Sequence, residues 1–259
     1  MNTKAIELPR NSILSLLSDA RHFQILFLGS FLVMVLFAND FPKKFLFQIG
    51  LTISSCIAFQ LLFSHFTTKN YNSWKSALIT SLGLCLLLKV DNLNWILLAS
   101  FIAIGSKFLI KYKGKHIFNP ANIGVVATIL LSQNAWISPG QWGSNVVYLF
   151  IIGSLGFLVI KKVARIDIAL TFIATFGGLL FIRNFLYLGW PIDFWTHQMT
   201  NGTLMLFTFF MITDPMTTPN NKKGRVIFAL ILAIIAFYLT TFNHFYAAPV
   251  WVLLFMSPL

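Results

Sequence analysis

Ten apolar stretches, separated by short polar gaps, fill most of this 259-residue chain. With 57% hydrophobic and only 10% charged residues, a soluble domain would expose more apolar surface than water tolerates. The pattern predicts an all-α, polytopic transmembrane helical bundle, with a cytoplasmic segment at residues 1–20 followed by one membrane domain at 21–259. The predicted spans are residues 21–38, 45–66, 76–88, 93–110, 122–132, 146–160, 166–182, 202–213, 226–241 and 247–256.

Lysines and arginines collect in alternate gaps between these stretches, which predicts the orientation. Lys43, Lys44, Lys89 and Arg183 fall on one side, and the other 15 of the 19 basic residues fall on the opposite side. Because positive flanks are retained in the cytoplasm, both termini are expected there, in a multi-pass protein of the inner (cytoplasmic) membrane. The expected partner of these cations is the lipid bilayer and not nucleic acid, since they form short clusters beside apolar spans.

Four of the predicted spans are shorter than the roughly 20 residues that a helix needs to cross the hydrocarbon core. They are the third and fifth members of each half when the chain is divided into residues 21–133 and 134–259. Because five is an odd number, the second half would enter the membrane with the opposite orientation. The lengths therefore predict two inverted five-span repeats with short or broken helices. The ends of half-helices form the binding site in such folds. Ordinary helices with uncounted polar flanks are the alternative.

Three proline motifs lie at the ends of these spans. In each, Asn, Ser or Asp stands directly before proline, at positions 119–120, 138–139 and 214–215. Such pairs favour a helix amino terminus, because the side chain accepts a hydrogen bond from an unpaired amide and proline needs no amide partner. A helix start also attracts a phosphate, carboxylate or carbonyl group, although capping without a ligand is the alternative. The candidates for an ion or solute path are Asn119, Pro120, Asn122, Pro139, Gly140, Gln141, Thr213, Asp214, Pro215 and Thr217.

Asp214 is the only carboxylate in these motifs, and two interpretations of it stay open. It is either a functional intramembrane charge or a partner of the basic residues Lys222, Lys223 and Arg225 that follow it. The sequence has no metal-ligand spacing, Gly-rich phosphate loop or nucleophile–base pair. We therefore predict no intrinsic catalytic site and no metal site.

Several segments of the chain resemble one known family. They are residues 105–107, 115–121, 139–143, 210–219 and 223–225, and the Thr-Asp-Pro sequence at 213–215 is the most specific part. They resemble the RnfD/NqrB family, the large membrane subunits of the Rnf complex and of the Na⁺-translocating NADH:quinone oxidoreductase. The resemblance runs from about residue 20 to the end. It implies ten spans in two inverted halves, a urea-transporter-like fold, and an integral membrane subunit of an electron transport or ion-translocating system. Its implied partners are other membrane redox subunits or a second copy.

One departure from the family concerns its flavin. Family members carry FMN on a threonine of a Ser-Gly-Ala-Thr type segment between the fifth and sixth spans, and the gap at residues 133–145 has no threonine. Thr217 and Thr218 face the wrong side of the membrane to replace it. We expect no covalent FMN, which leaves a non-covalent flavin or quinone. With this short gap and no flavin motif, the chain resembles UnbU-type proteins. The missing motif favours an alternative function, a stand-alone small-solute channel or transporter.

Overall fold

The computed structural model describes residues 19–38, 43–67, 69, 71–137 and 146–258. Each of the ten apolar stretches forms a helix, and a 3₁₀ turn at Tyr71–Ser73 precedes the third. Segments of π-helix extend α7 over Ile182–Tyr187 and α9 over Phe207–Met211. The helices are α1 (Ala20–Ala38), α2 (Lys43–Thr67), α3 (Trp74–Leu87), α4 (Asn94–Leu109), α5 (Pro120–Leu131), α6 (Val146–Val163), α7 (Ile166–Phe181), α8 (Ile192–Met199), α9 (Gly202–Leu206), α10 (Lys222–Phe242) and α11 (Ala248–Met256).

Four segments are long and apolar enough to cross a membrane: Ala20–Phe37, Lys43–Thr67, Ile166–Tyr187 and Lys222–Phe242. Large apolar side chains cover the outside of the helices, and Phe37 is 89% exposed. Lipid tails, unlike water, accept such a surface. The protein is therefore an α-helical, multi-pass membrane protein.

The helices in the third, fifth and tenth stretches are short, as predicted. α3, α5 and α11 have 14, 12 and 9 residues, and α9 with its π segment occupies only Gly202–Met211. Two of them continue as extended chain, because β1 (Leu88–Val90) follows α3 and β4 (Ala135–Ile137) follows α5. These strands pair antiparallel, with Leu88 opposite Ile137. The pairing satisfies backbone groups that the short helices leave unpaired.

Three features of the chain were not predicted: the β1–β4 pair, a hairpin and helix α8. The hairpin joins β2 (Lys111–Tyr112) to β3 (Lys115–His116) through Lys113 and Gly114, both with positive φ. Strands of two or three residues are too short to show an alternating pattern. Helix α8 lies in the polar gap before α9 and has only eight residues, none of them fully buried, although Trp195 and Met199 pack against the core. Eight residues in a polar gap are too few for a clear helical pattern.

The helices pack in one series that occurs twice. In the first part, α1 packs on α3, α2 packs on α3 and α4, and α4 packs on α5. In the second part, α6 packs on α9, α7 packs on the π segment after α9 and on α10, and α10 packs on α11. With α8 set aside, these contacts of the second part correspond to those of the first, whereas the packing of α3 on α4 and α5 has no counterpart of similar extent among the described residues. Contacts between the two parts join α1 to α6 and α5 to α11.

Small residues allow the closest of these approaches. A Cβ at Gly124 of α5 would lie 2.8 Å from the Ala103 Cβ and 3.0 Å from the Ala99 carbonyl oxygen of α4. A Cβ at Gly156 of α6 would lie 2.5 Å from the Phe209 ring. Since lipid provides no hydrophobic drive for association, such close packing is a main source of helix affinity in membranes. It fixes α5 and the π segment, which carry the candidate site.

Candidate functional site

Asn119 connects two of the three proline motifs. Its Oδ1 accepts a hydrogen bond from the Asn122 amide at 3.1 Å, and its Nδ2 donates to Oδ2 of Asp214 at 3.3 Å. The first bond confirms the predicted cap, because α5 begins at Pro120 with Asn119 as its N-cap. The cap also fixes the direction of the amide, so that the NH₂ group is the part that faces the carboxylate.

Asp214 itself does not begin a helix, so that prediction was wrong. Its Oδ1 accepts the Met216 amide at 2.9 Å, and its carbonyl accepts the Thr218 hydroxyl at 2.8 Å, which closes a turn instead. Aspartate favours such turns because its side chain replaces a backbone acceptor. A helix that began at Pro215 would place Pro219 where an amide must donate to the Pro215 carbonyl, and proline has no amide hydrogen.

The β2–β3 hairpin approaches the same turn from the first half of the chain. His116 Nε2 lies 3.6 Å from Oδ2 of Asp214, and each side chain is less than a fifth exposed. Lys115 Nζ donates to the Pro215 carbonyl at 3.0 Å. The turn is therefore held by residues about 100 positions earlier in the chain.

Arg225, one of the residues considered as a counter-charge for Asp214, pairs with another carboxylate. Its Nε donates to Oδ2 of Asp167 at 2.7 Å, and both side chains are only 12% exposed. This ion pair fastens the start of α10 to the start of α7. Within the described residues, the side chains that form a hydrogen bond or an ion-pair contact with the Asp214 carboxylate are those of Asn119 and His116.

A cavity of about 260 Å³ adjoins the Asn119–Asp214 contact, and we call it the Asp214 cavity. Its walls come from the starts of α1 and α5, from α3 along its length, from the end of α6, and from the π segment after α9 with the turn at Asp214. Many of its lining side chains are polar. They are Arg21, Gln24, Ser76, Thr80, His116, Asn119 and Asp214.

Two cations were not predicted as site residues: Arg21 lines the Asp214 cavity, and Lys107 binds Ser76 of its lining. Lys107, 7% exposed, donates from Nζ to the Ser76 carbonyl at 3.0 Å and to its hydroxyl at 3.1 Å. Arg21 lines the cavity and donates from Nε to Asp19 at 3.1 Å. This bond from Arg21 holds the pKa of Asp19 at about 2, below its usual 3.8. The sequence feature that could have identified Lys107 as a site residue is its position inside an apolar stretch.

A second cavity of about 250 Å³, the Thr203 cavity, lies at the other end of α9 and its π segment. Thr203 and Phe207 line it, whereas Leu206 and Phe210 line the Asp214 cavity. The starts of α9 and α11 and the ends of α7, α8 and α10 form its walls. None of its lining residues, which all lie in the described ranges, is an acid or a base. The set is Phe176, Leu180, Gln198, Asn201, Thr203, Leu204, Phe207, Thr240, Tyr246, Ala247, Pro249 and Val250.

Asn122 has an environment unlike that of the other predicted residues. It is fully buried in the first turn of α5, and neither Oδ1 nor Nδ2 has a hydrogen-bond partner within the described part of the chain. An unpaired buried amide costs on the order of 1–3 kcal/mol. A residue that carries this cost without a side-chain hydrogen bond is a candidate for a functional one.

The other predicted residues divide into three groups. Thr213 is 3% exposed and donates to the Phe209 carbonyl at 2.7 Å, and Thr217 donates to the Asp214 carbonyl at 3.4 Å, so both stabilise the local backbone. Pro139, Gly140 and Gln141 lie outside the described residues. The structure brings together at the Asp214 cavity Asn119, Pro120, Asp214 and Pro215.

Comparison with known proteins identifies relatives of the chain. The D subunit of the ion-translocating oxidoreductase complex from Stutzerimonas stutzeri is 29% identical over 127 residues, which are 47% of this chain and 34% of the relative. The proteins of the same name from Halorhodospira halophila and Shewanella piezotolerans are 28% and 29% identical. These matches cover 46% and 48% of this chain. The matched region spans about a third of the length of each relative.

The match to a family model extends further. The model described as the NQR2, RnfD, RnfE family covers residues 128–259, just over half of the chain. This region contains Asp214, the Arg225–Asp167 pair and the Thr203 cavity, while Asn119 and the β2–β3 hairpin precede it. With its helical membrane fold and this match, the chain belongs to the NQR2, RnfD, RnfE family.

Proposed function

We propose that this chain is the membrane subunit of an Rnf-like ion-translocating redox system, and that the Asp214 cavity is the entrance of its cation path. The relatives carry the name of one component of an ion-translocating oxidoreductase complex. The observation that supports the proposal most is the Asn119–Asp214 contact. It places a carboxylate from the second half of the chain at the start of a short helix of the first half, in the wall of a cavity.

The proposed architecture has ten spans in two inverted repeats, residues 21–133 and 134–259, with a urea-transporter-like arrangement. Two observations support it. The series of helix contacts occurs twice, and the two halves meet through equivalent helices, α1 with α6 and α5 with α11. The Asp214 cavity is lined by α3 and the start of α5, and the Thr203 cavity is lined by their proposed counterparts, α9 and the start of α11. In inverted repeats, equivalent cavities open towards opposite sides of the membrane.

The charges around the Asp214 cavity suit a cation that enters and leaves. Asp214 has an amide and an imidazole as its nearest side chains, and no arginine or lysine side chain within the described residues forms an ion pair with it. Its charge therefore remains available to a visiting cation. Lys107 binds Ser76 of the cavity lining, and its fixed positive charge weakens the attraction so that the cation does not bind too tightly. Both termini are proposed to be cytoplasmic, which places the cavity at the inner surface.

The next polar group on α5 is Asn122, which the proposal uses as a ligand of the cation beyond the entrance. Its amide oxygen has no partner within the described residues and is fully buried. An ion that loses part of its hydration shell needs such oxygen atoms to replace water. A cation path thus explains why α5 holds an unpaired amide in its first turn.

The test of this function is ion uptake by inside-out vesicles from the native membrane, energised with NADH. Na⁺ and H⁺ uptake are both followed, with wild type or Asp214→Asn in place of the native chain. We expect at least a tenfold loss of uptake of one ion in Asp214→Asn, because ~1.4 kcal/mol of lost interaction corresponds to tenfold. Asp193→Asn is the matched control, since Asp193 is an exposed carboxylate on α8. Equal losses in both variants, or none in either, would contradict the proposal.

A second candidate function is a stand-alone channel or transporter for a small neutral solute. One observation favours it: the Thr203 cavity has no charged lining residue, so a cation there would find no counter-charge. Purified chain in liposomes separates the two functions. Rapid swelling in a urea gradient, without any redox substrate, is expected of the solute channel, whereas slow swelling is expected of the redox component.

The proposed redox system has no covalent FMN on this chain, and its other membrane redox subunits, or a second copy, supply the remaining electron carriers. Covalent FMN is tested directly by in-gel fluorescence of denatured chain that was coexpressed with a flavin transferase. No band at the mass of the chain is expected. A non-covalent flavin or quinone needs a site of its own.

A further inference from the structure

We propose that the β2–β3 hairpin binds the headgroup phosphate of an anionic phospholipid, and that the bound lipid restrains the turn at Asp214. The part of the hairpin that binds the lipid is called the hairpin surface, and it consists of the exposed residues Leu109, Ile110, Lys111, Tyr112 and Lys113. The proposal goes beyond the cation path, because lipid binding is measured on the isolated chain without a redox substrate or an ion gradient. Either proposal can therefore fail without the other.

The first argument is positive charge without a counter-charge. Lys111 and Lys113 are exposed, and neither forms an ion pair with a carboxylate of the described residues. From α2 to β4, Asp91 is the only acid among the described residues, and it precedes α4 whereas the hairpin follows α4. The two ammonium groups lie 5.3 and 5.2 Å from the ring centres of Phe108 and Tyr112, contacts that orient a cation but do not neutralise it. Both lysines are therefore available to an anionic ligand.

The second argument is the conformation of the tip of the hairpin. Lys113 and Gly114 both have positive φ, 47° and 81°, as in the two-residue turns that join tight hairpins. Glycine adopts this conformation freely, whereas a lysine adopts it at a cost in free energy. Asparagine or aspartate is preferred at the first of these positions, and neither carries a positive charge. Binding of an anion by the ammonium group at the tip would offset the cost of the lysine.

The third argument identifies the anion as a lipid. Leu109 is 71% exposed and Tyr112 is 65% exposed, in the same segment as the two lysines. This segment begins where the apolar helix α4 ends, which is the depth at which a membrane helix leaves the hydrocarbon layer. Tyrosine and lysine at that depth are typical of the interface, because the ring packs against lipid carbon atoms while the ammonium group reaches the phosphates. A soluble anion would satisfy the lysines but would leave the apolar side chains in water.

The pairing of the two strands connects the hairpin surface to the candidate site. In this register, Lys111 lies opposite His116 and Tyr112 lies opposite Lys115. Lys115 Nζ donates to a carbonyl of the Asp214 turn at 3.0 Å, and His116 Nε2 lies 3.6 Å from the Asp214 carboxylate. Each exposed residue of β2 is thus paired with a residue of β3 that contacts the turn. A lipid that fixes β2 therefore also restrains the turn.

The binding test is native mass spectrometry of the full chain, released from nanodiscs that contain equal amounts of phosphatidylglycerol and phosphatidylcholine with the same acyl chains. Phosphatidylcholine is neutral overall, so we expect the wild-type chain to retain phosphatidylglycerol in about tenfold excess. Lys111→Gln combined with Lys113→Gln should remove most of this excess. The matched control is Lys222→Gln combined with Lys223→Gln, which removes the same charge from two exposed lysines at the start of α10 and should leave the excess unchanged.

Amide hydrogen exchange tests whether the bound lipid also restrains the turn. The amides of Met216 and Thr217 donate to Asp214, so their exchange reports how often the turn opens. In the wild-type chain, nanodiscs with phosphatidylglycerol should slow this exchange about threefold relative to nanodiscs of phosphatidylcholine alone. In the variant with Lys111→Gln and Lys113→Gln, the two kinds of nanodisc should give the same exchange rate.

Four results would overturn the proposal. The first is a wild-type chain that retains both lipids equally, and the second is an equal loss of phosphatidylglycerol in the two double variants, which would mean attraction to total charge alone. The third is an undiminished excess in the variant with Lys111→Gln and Lys113→Gln, which would leave these lysines to another anionic partner such as an acidic protein. The fourth is exchange at Met216 and Thr217 that does not respond to phosphatidylglycerol in the wild-type chain.

Discussion

The Asp214 cavity and the Thr203 cavity have similar volumes but different chemistry. Their volumes are about 260 and 250 Å³. The first contains a carboxylate, an imidazole and an arginine among its lining side chains, whereas the second contains aromatic rings and neutral amides and hydroxyls. The packing of the helices thus decides where cavities form, and the residues at the helix starts decide what each cavity admits.

The largest expected effect separates a structural carboxylate from a functional one. Asp167→Asn leaves Arg225 without its partner in a site where both side chains are only 12% exposed. Breaking such a pair costs about 3–5 kcal/mol, so the thermal midpoint should fall by many degrees. Ion uptake per folded molecule should remain that of wild type. A stable Asp167→Asn protein with impaired uptake would contradict this account, because the functional carboxylate would then be Asp167 at the α7–α10 contact and not Asp214.

A smaller effect is expected at Asn122. Asn122→Leu removes an amide that has no partner within the described residues, so stability should be unchanged or rise by about 1 kcal/mol. Uptake should nevertheless fall about tenfold, because the cation loses an oxygen ligand. Thr128→Val on the same helix is the control, and it should leave uptake unchanged. Loss of stability without loss of uptake in Asn122→Leu would make this residue purely structural.

The smallest of these effects concerns the cap on α5. Asn119→Ala should lower the free energy of unfolding by about 0.5–2 kcal/mol, the usual worth of an N-cap. Asn221→Ala is its match, since Asn221 caps α10 through the Gly224 amide and does not line the Asp214 cavity. Both variants should lose similar stability, and only Asn119→Ala should lose uptake. Equal uptake in the two variants would mean that Asn119 acts only as a helix cap and has no part in the cation path.

The sequence predicted most of the helices and one side of the site. Apolar runs carry the helix signal in every span, and the Asn-Pro pair at 119–120 carries a local capping signal that the structure confirms. The contact of Asn119 with Asp214 joins residues 95 positions apart, which no local pattern encodes. The turn at Asp214 was mistaken for a helix start because an Asp-Pro pair suits both, and the second proline at 219 was the signal that distinguishes them.

The Thr203 cavity could not be predicted at all. Thr203 is one of many threonines in apolar stretches, and most of those described donate to a carbonyl of their own helix. Only the structure shows that its helix starts one residue earlier and that residues from α7 to α11 line the cavity around it. The strand pair β1–β4 was missed for a similar reason, since three-residue strands are defined by their partners and not by their own pattern.

The most direct test of the central claim, that a carboxylate in the Asp214 cavity carries the cation, is a charge exchange between Asn119 and Asp214. In Asp214→Asn alone, two NH₂ groups face each other and the charge is lost. In the double variant Asn119→Asp with Asp214→Asn, aspartate still caps α5, the hydrogen bond re-forms with its direction reversed, and the charge moves by one side chain. NADH-driven ion uptake should fall at least tenfold in the single variant and recover most of its wild-type rate in the double variant. Wild-type uptake in the single variant would contradict the claim.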